Sequence, residues 1–411
     1  YNPVATVDNR SCIFDDDNCD TCVDGVIIAN DFDSDGICDD SDNDKDGDGV
    51  QDEDDSHPYD NTACADADQD GCDDCSSGYN DPSNDGPDDD NDGICNSYII
   101  EGYTVYIVGS SYNSEGVYTT CYWVDGVRYE LPGGAWATDI AVVDGTVYTS
   151  GTGEASDACY WINQTRYDLP GEWGEGEAIA VDGDDVYVAG WYENNDYPAS
   201  CYWKNGQRIN LTTNRDSQAF AIGIRNNGDV YVGGYYFNNH KLIPCFWKNG
   251  NNRSNLPTAE DGEVYDIAFD EAGNMRYYAG NTTKLDNFAG YPPKACYWRH
   301  TNRTDLPLGG SKMEIYGSHA NGITIDGDDV YVAGYTDWYE FTGEEETSGG
   351  YFPQYWKNST IHDLEGGSMT EFGTGQANDI RVADGNIVVV GMATGGPTGE
   401  SACYWLNGEL N

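Results

Sequence analysis

Four stretches in the first hundred residues set carboxylates at alternate positions and close on glycine: DFDSDG from Asp31, DKDGDG from Asp44, DADQDG from Asp66 and DDDNDG from Asp88. Acids at loop positions 1, 3 and 5 turn three hard oxygens toward one point, and Gly at position 6 allows the bend behind them. That is calcium chemistry, since the ion takes about six to eight oxygen ligands. The first loop offers Asp31, Asp33 and Asp35, the Ile37 carbonyl, then Asp39 and Asp42 at positions 9 and 12. The second repeats this with Asp44, Asp46, Asp48, the Val50 carbonyl, Asp52 and Asp55. The third has Asp66, Asp68, Asp70, the Cys72 carbonyl and Asp74, with Ser77 at position 12. The fourth has Asp88, Asp90, Asp92 and the Ile94 carbonyl, followed by Asn96 and Ile99. About four calcium sites are expected.

Eight cysteines are interleaved with these loops, and the segment is duplicated. Cys12, Cys19, Cys22 and Cys38 map onto Cys64, Cys72, Cys75 and Cys95, and each half holds a C-D-x-C element before a loop. Two disulfides per half are expected, with three pairings open. Zinc at C-x-x-C is the rival, and the oxygen-rich setting favours calcium. A plain acidic tail would not hold Gly at one offset four times. An EF-hand would need amphipathic flanking helices, and the sequence shows none.

The DxDxDGxxDxxD runs with interspersed cysteines resemble thrombospondin type 3 repeats. CDDCSSGYNDPSNDGPDDDNDGIC is similar to Asp-rich calcium linkers of secreted bacterial surface proteins. Over residues 12–96 the resemblance implies a stalk made stiff by metal and disulfides.

The charge balance narrows the partners. The chain carries 74 acids against 19 Lys and Arg, a net charge of −55, with only Arg10 and Lys45 as bases before residue 97. Nucleic acid and anionic membranes are repelled by such a surface. No run approaches the roughly 18 apolar residues of a spanning helix, so membrane insertion is not expected. The start at Tyr1 reads as a processed form, and cysteine usage points to an extracellular, oxidising setting.

The elements that would carry such a segment come after residue 96. A phrase of CYW, Asn-Gly and Leu-Pro, or a variant of it, recurs seven times, around Trp123, Trp161, Trp203, Trp247, Trp298, Trp356 and Trp405. One full unit runs Ala178–Val181, Val186–Gly190, Cys201–Lys204 and Gln207–Leu211. These are four short strands joined by Asp-Gly and Asn-Gly hairpins. Seven such units predict a seven-bladed β-propeller. The fold class is therefore all-β, a propeller over 97–411 preceded by an irregular, disulfide-rich, calcium-binding stalk over 12–96 and an extended arm over 1–11. The phrase IAVDGDDVYVAG resembles the SBBP-type propeller repeat, which implies the same fold and leaves function open.

Tryptophans that recur at one position in every unit are expected to pack between blades. The strand cysteines (Cys121, Cys159, Cys201, Cys245, Cys296, Cys403) are expected to be buried free thiols, too far apart to bridge. Trp136, Trp173, Trp191 and Trp338 do not recur, and they are the candidates for ligand or assembly contacts in strand-connecting loops. Sequons at Asn163, Asn252, Asn302 and Asn358 fall near hairpins where a glycan could point outward.

No nucleophile, metal-protease or phosphate-loop motif occurs, so no enzyme is expected. The first reading is an extracellular structural protein, a subunit of a surface filament. Its partner is another copy of itself, joined through the N-terminal arm and the open edge of the last blade near Glu409–Asn411. A stalked glycan-binding adhesin is the second reading and a secreted hydrolase the third.

Overall fold

The computed structural model describes the pairs of strands at 21–23 and 26–28, most of 32–82, and 103–410. The larger stretches outside the description are 1–20, 83–102, 113–117, 284–291, 309–313 and 365–374. Contacts divide the chain into two compact units, one of residues 1–105 with 125–127, the other of 106–124 with 128–411. The arm expected over 1–11 lies outside the described residues, as does the start of the expected propeller at 97–102. No helix among the described residues is long and apolar enough to cross a membrane.

The larger unit is a seven-bladed β-propeller. Six sheets have four antiparallel strands in sequence order, and the first has three: Tyr106–Tyr112, Tyr118–Val124 and Val127–Glu130. The third blade is typical, with strands Gly174–Asp182, Asp185–Asn194, Tyr197–Lys204 and Gln207–Asn210. Its first three strands are longer than the apolar pattern suggested, because pairing continues past the buried segment into polar residues such as Glu193 and Asn194. The seventh ends on the two-residue strand Glu409–Leu410, and its third strand, Gly399–Leu406, meets the first blade at Tyr106–Tyr112.

Every core lies between blades. One cluster joins Tyr187, Ala189 and Tyr202 of the third blade to Ala219, Cys245 and Trp247 of the fourth, and the others repeat this around the ring. Alternation along the third strand sends Cys and Trp to one neighbour and Tyr to the other, so both faces of a blade are buried. The recurrent tryptophans from Trp161 to Trp405 are nearly inaccessible, as packing residues should be.

The Leu-Pro pair explains itself in the same interface. The indole N–H groups of Trp161, Trp203, Trp298 and Trp356 donate to the carbonyls of Pro132, Pro170, Pro257 and Pro307 of the blade before, at 2.9–3.1 Å. Where the pair reads Leu211-Thr212, the next tryptophan, Trp247, has a buried indole N–H without a partner. The strand cysteines are free thiols, five buried and Cys403 partly so. Burial pushes the Cys159 thiol up to about 12, which removes thiolate chemistry at neutral pH.

The smaller unit contains a short hairpin, Thr21–Val23 with Val26–Ile28, which no pattern in the sequence had signalled. The rest of its described backbone is turns and bends. Cys64 bonds Cys75, with Cα atoms 5.6 Å apart, so one pairing in the second half is resolved. Cys38 is also disulfide-bonded. Cys12, Cys19, Cys72 and Cys95 lie outside the described residues, as does the side chain of Cys22.

Candidate functional site

The acidic loops fold by pairing each carboxylate with the backbone ahead of it. Asp33 accepts from the Asp35 amide, Asp35 from Ile37, Asp42 from Asp44 and Asp48 from Val50, at 2.7–3.1 Å. Gly36 and Gly49, at loop position 6, sit at φ +92° and +99°, a region side chains other than glycine seldom enter. The aspartates at position 9 act as clasps: Asp39, Asp52 and Asp74 each accept the amide at position 2, from Phe32, Lys45 and Ala67, at 2.9–3.1 Å. The same clasp recurs in all three loops.

This folding gathers oxygens. Asp33, Asp35 and Asp42 bring ligand atoms within 4.8 Å of one another, and so do Asp44, Asp46 and Asp48. Asp42, at position 12 of the first loop, thus joins positions 3 and 5 as expected. Asp46 and Asp48 are 5% and 0% exposed, and one oxygen of each of Asp42, Asp44, Asp46 and Asp48 is buried without a hydrogen-bond partner. Burial and the nearby charges of Asp46, Asp55 and Asp44 hold the Asp48 carboxyl above its usual range. Buried carboxylates without a counter-charge are costly. A hard divalent cation fits this donor set, because all the donors are oxygen and none is soft.

Asp48 also lies beside the sulfurs of Cys64 and Cys75. Those sulfurs form a disulfide, so Cys75 offers no thiolate for the zinc alternative. Asp31, Asp66, Asp68, Asp70, Cys72, Asp88, Asp90, Asp92 and Ile94 lie outside the described residues.

In the propeller, a second constellation emerged that the sequence reading missed. The innermost strand of blades two to seven carries a β-bulge at one shared position, and those of blades two and six carry a second. The two residues flanking an invariantly small one there are Trp136 and Thr138, Glu175 and Glu177, Gln218 and Phe220, Glu263 and Tyr265, His319 and Asn321, and Gln376 and Asn378. Opposite each bulge stands the glycine of the second strand. A Cβ on Gly190 would come within 1.9 Å of the Glu175 carbonyl oxygen, and one on Gly334 within 1.8 Å of that of His319. The recurrent glycine therefore admits the bulge, and the bulge re-aims the side chains beside it. The signal was available as variation within a repeat. Its meaning depended on the bulge, which hydrophobic alternation does not reveal.

Deeper along the inner strands, acids face the ring axis. Asp139 bridges to the next blade by accepting the Ile179 amide at 2.9 Å, and Asp266 does the same with Ile323 at 2.8 Å. Asp379 accepts from Arg381 at 2.7 Å. These groups belong to blades two, five and seven yet feel one another's charge. Arg381 lies among them and keeps 59% of its side-chain surface exposed. Desolvation, with the Asp379 charge adding, pushes Asp139 up to about 6 and holds Asp266 higher still.

The four singled-out tryptophans are placed differently from expectation. Only Trp173 is in a loop; Trp136, Trp191 and Trp338 lie on strands, Gly134–Val143, Asp185–Asn194 and Asp329–Thr342. The strands outrun the apolar pattern, which is what misplaced them. Trp136 and Trp173 are 58% and 67% exposed, and Trp173 has a left-handed backbone at φ +56°. Trp191 pairs across the strand with Glu175. Of the sequons, Asn358 uses its amide nitrogen, the atom a glycan would take, to donate to Asp329 at 2.6 Å. Asn163 accepts the Val147 amide. Asn252 and Asn302 are exposed at the start of outer strands.

No protein-family model matches the chain, and no curated protein matches it. Among solved structures it is similar to the β-propeller domain of the trilobed protease from Pyrococcus furiosus (10% identity, TM-score 0.45, covering 75% of this chain and 92% of that one). It is also similar to the acylaminoacyl peptidase of Pyrococcus horikoshii (13%, TM-score 0.41, 75% and 50%). A third similarity is to the extracellular domain of a proposed one-component system of B. thetaiotaomicron (11%, TM-score 0.39, 72% and 38%). The chain matches well under half of that last protein's length. The similarities speak to the propeller fold alone.

They do correct one expectation. A peptidase and the arabinanases of Bacillus licheniformis and Bacillus subtilis are among the matches. The exclusion of enzymes drawn from missing motifs does not stand, because propellers place catalytic groups on different strands, where no linear motif records them.

Proposed function

We propose that the chain is a calcium-binding extracellular structural protein, a subunit of a surface filament. In this reading the stalk over 12–96 is made rigid by calcium at about four sites, and the propeller over 97–411 is a stiff head for assembly. The observation that carries it is the set of buried, unpartnered carboxylate oxygens on Asp42, Asp44, Asp46 and Asp48. Bound calcium would neutralise them and tie loop to loop, in place of an apolar core, which the described residues of this segment do not form.

Assembly is the finer part of the reading. It assigns self-association to the N-terminal arm and the edge of the last blade. Electron microscopy of the chain with calcium should show fibres with a regular axial repeat, and a strong chelator should loosen them while the propeller stays folded. Stalk order unchanged by chelation, measured by amide hydrogen exchange, would count against the calcium assignment. Dispersed particles under all conditions would count against the filament.

A second reading, a stalked glycan-binding adhesin, is favoured by the exposed rings of Trp136 and Trp173 and the strained backbone of Trp173. Binding of the chain to arrayed oligosaccharides tests it.

A further inference from the structure

On blades five and six the residues beside the bulges join into one constellation. Tyr265 donates its hydroxyl to Glu263. Asn281, opposite Glu263 on the next strand, accepts the Ala320 amide through its side-chain oxygen at 2.9 Å. Its amide nitrogen therefore faces His319 and donates to Nδ1 at 3.0 Å. The other ring nitrogen, Nε2, donates to Asp337 at 3.1 Å. Tyr335 stacks on the His319 ring with centroids 4.4 Å apart, and Phe220 of blade four lies 5.3 Å from Tyr265.

Two facts ask for a ligand. Asp337 is 7% exposed, and its second oxygen, Oδ1, has no partner. A buried acceptor left empty is costly, and a hydroxyl donor would satisfy it. Second, the paired positions beside the six bulges hold acids, amides, aromatics, one histidine and one threonine, with no lysine, arginine or aliphatic residue. The residue between each pair is Ala, Gly or Val. Packing positions repeat from blade to blade, whereas these change, as residues that meet an asymmetric ligand must.

We infer that the bulge face of blades five and six, built on Glu263, Tyr265, His319, Tyr335 and Asp337, is a binding site for a neutral, hydroxyl-rich ligand, a glycan. Aromatic faces supply flat apolar contact for sugar C–H groups. Carboxylates and amides supply acceptors and donors in fixed planes, the few well-placed polar groups that give a site its specificity. Among the described residues that build the site, an anionic ligand would meet carboxylates and no lysine or arginine. Burial holds the Glu263 carboxyl up, which suits it to hydroxyl contacts rather than ion pairing. The inference rests on the glycan-binding reading and moves the site from the exposed tryptophans Trp136 and Trp173 to the bulge face of blades five and six.

The test is to screen the full chain on neutral gluco-, manno- and galacto-oligosaccharides and measure the affinity of the best binder by calorimetry. Tyr265→Phe, Glu263→Gln and Asp337→Asn should each weaken it at least tenfold with the thermal midpoint unchanged, while Trp173→Ala changes it less than threefold. Should Asp337→Asn unfold, Tyr265→Phe alone decides, since it removes one hydroxyl. Glycan binding abolished by Trp173→Ala and untouched by the other three overturns the site and spares the adhesin reading. No binding to any neutral glycan overturns both. Preference for tetramethylammonium over every glycan overturns the ligand class.

Discussion

The acids of the stalk and those of the propeller are the same residues in opposite situations. In the stalk they crowd by sequence proximity, and the folded loops leave Asp46 and Asp48 buried with oxygens unpartnered. In the propeller, the acids beside the strand hairpins find protein donors. Asp185, for example, accepts from Asn205 at 2.7 Å and pairs with Lys204 at 2.6 Å, and Asp229 and Asp329 repeat this. In the proposed reading, the first unit would take from a bound ion what the propeller obtains from apolar interfaces between blades.

Chelation should separate the two most sharply. Removing calcium is expected to expose the amides of Asp44, Asp48 and Val50 to hydrogen exchange while strand amides of the blades stay protected. Asp46→Asn with Asp48→Asn should do the same without chelator and lower calcium affinity at least tenfold by calorimetry. Equal loss of protection in both units would erase the comparison.

Within the propeller, the interfaces should dominate. Trp203→Ala removes a buried ring and its bond to the Pro170 carbonyl, and about 3–5 kcal/mol of stability should go with it, read by denaturant unfolding. Gly190→Ala forces a methyl group against the Glu175 carbonyl. It should cost about 1–3 kcal/mol, and it should also disturb the bulge that aims Glu175 and Glu177.

The pH response follows from carboxyls held above their unfolded values. Asp139, at about 6, and Asp266 keep protons that the unfolded chain has already released near pH 4. The fold binds more protons than the unfolded state over that interval, so propeller stability should fall as pH rises from about 4 to 8. Asp266→Asn should flatten the slope of thermal midpoint against pH. The calcium-loaded stalk should respond the other way, since calcium takes deprotonated carboxylates. Smallest of all, Lys204→Ala, which removes an exposed ion pair, should leave the midpoint within error.

The four-strand phrase was legible because its period, hairpin dipeptides and alternation are local. The loops were legible too: Gly36 and Gly49 take the backbone that position 6 demands, and Asp42 gathers with Asp33 and Asp35. The bulge face was not. Glu263, His319 and Asp337 are 18 to 74 residues apart, and strand pairing, the bulges and the meeting of two blades bring them together. Trp191 and Trp338 looked like loop residues because polar strand ends carry no apolar period.

By itself, then, the sequence determined the repeat, the blade and the acidic loops, since each depends on neighbours within a few residues and on backbone preferences that any chain must obey. Tertiary structure alone decided which carboxylates lose their solvent, which indole meets which proline carbonyl, and which side chains the bulges turn together. Those outcomes depend on groups from different blades arriving at one place, and burial and distance are properties of the packed ring that no single stretch contains.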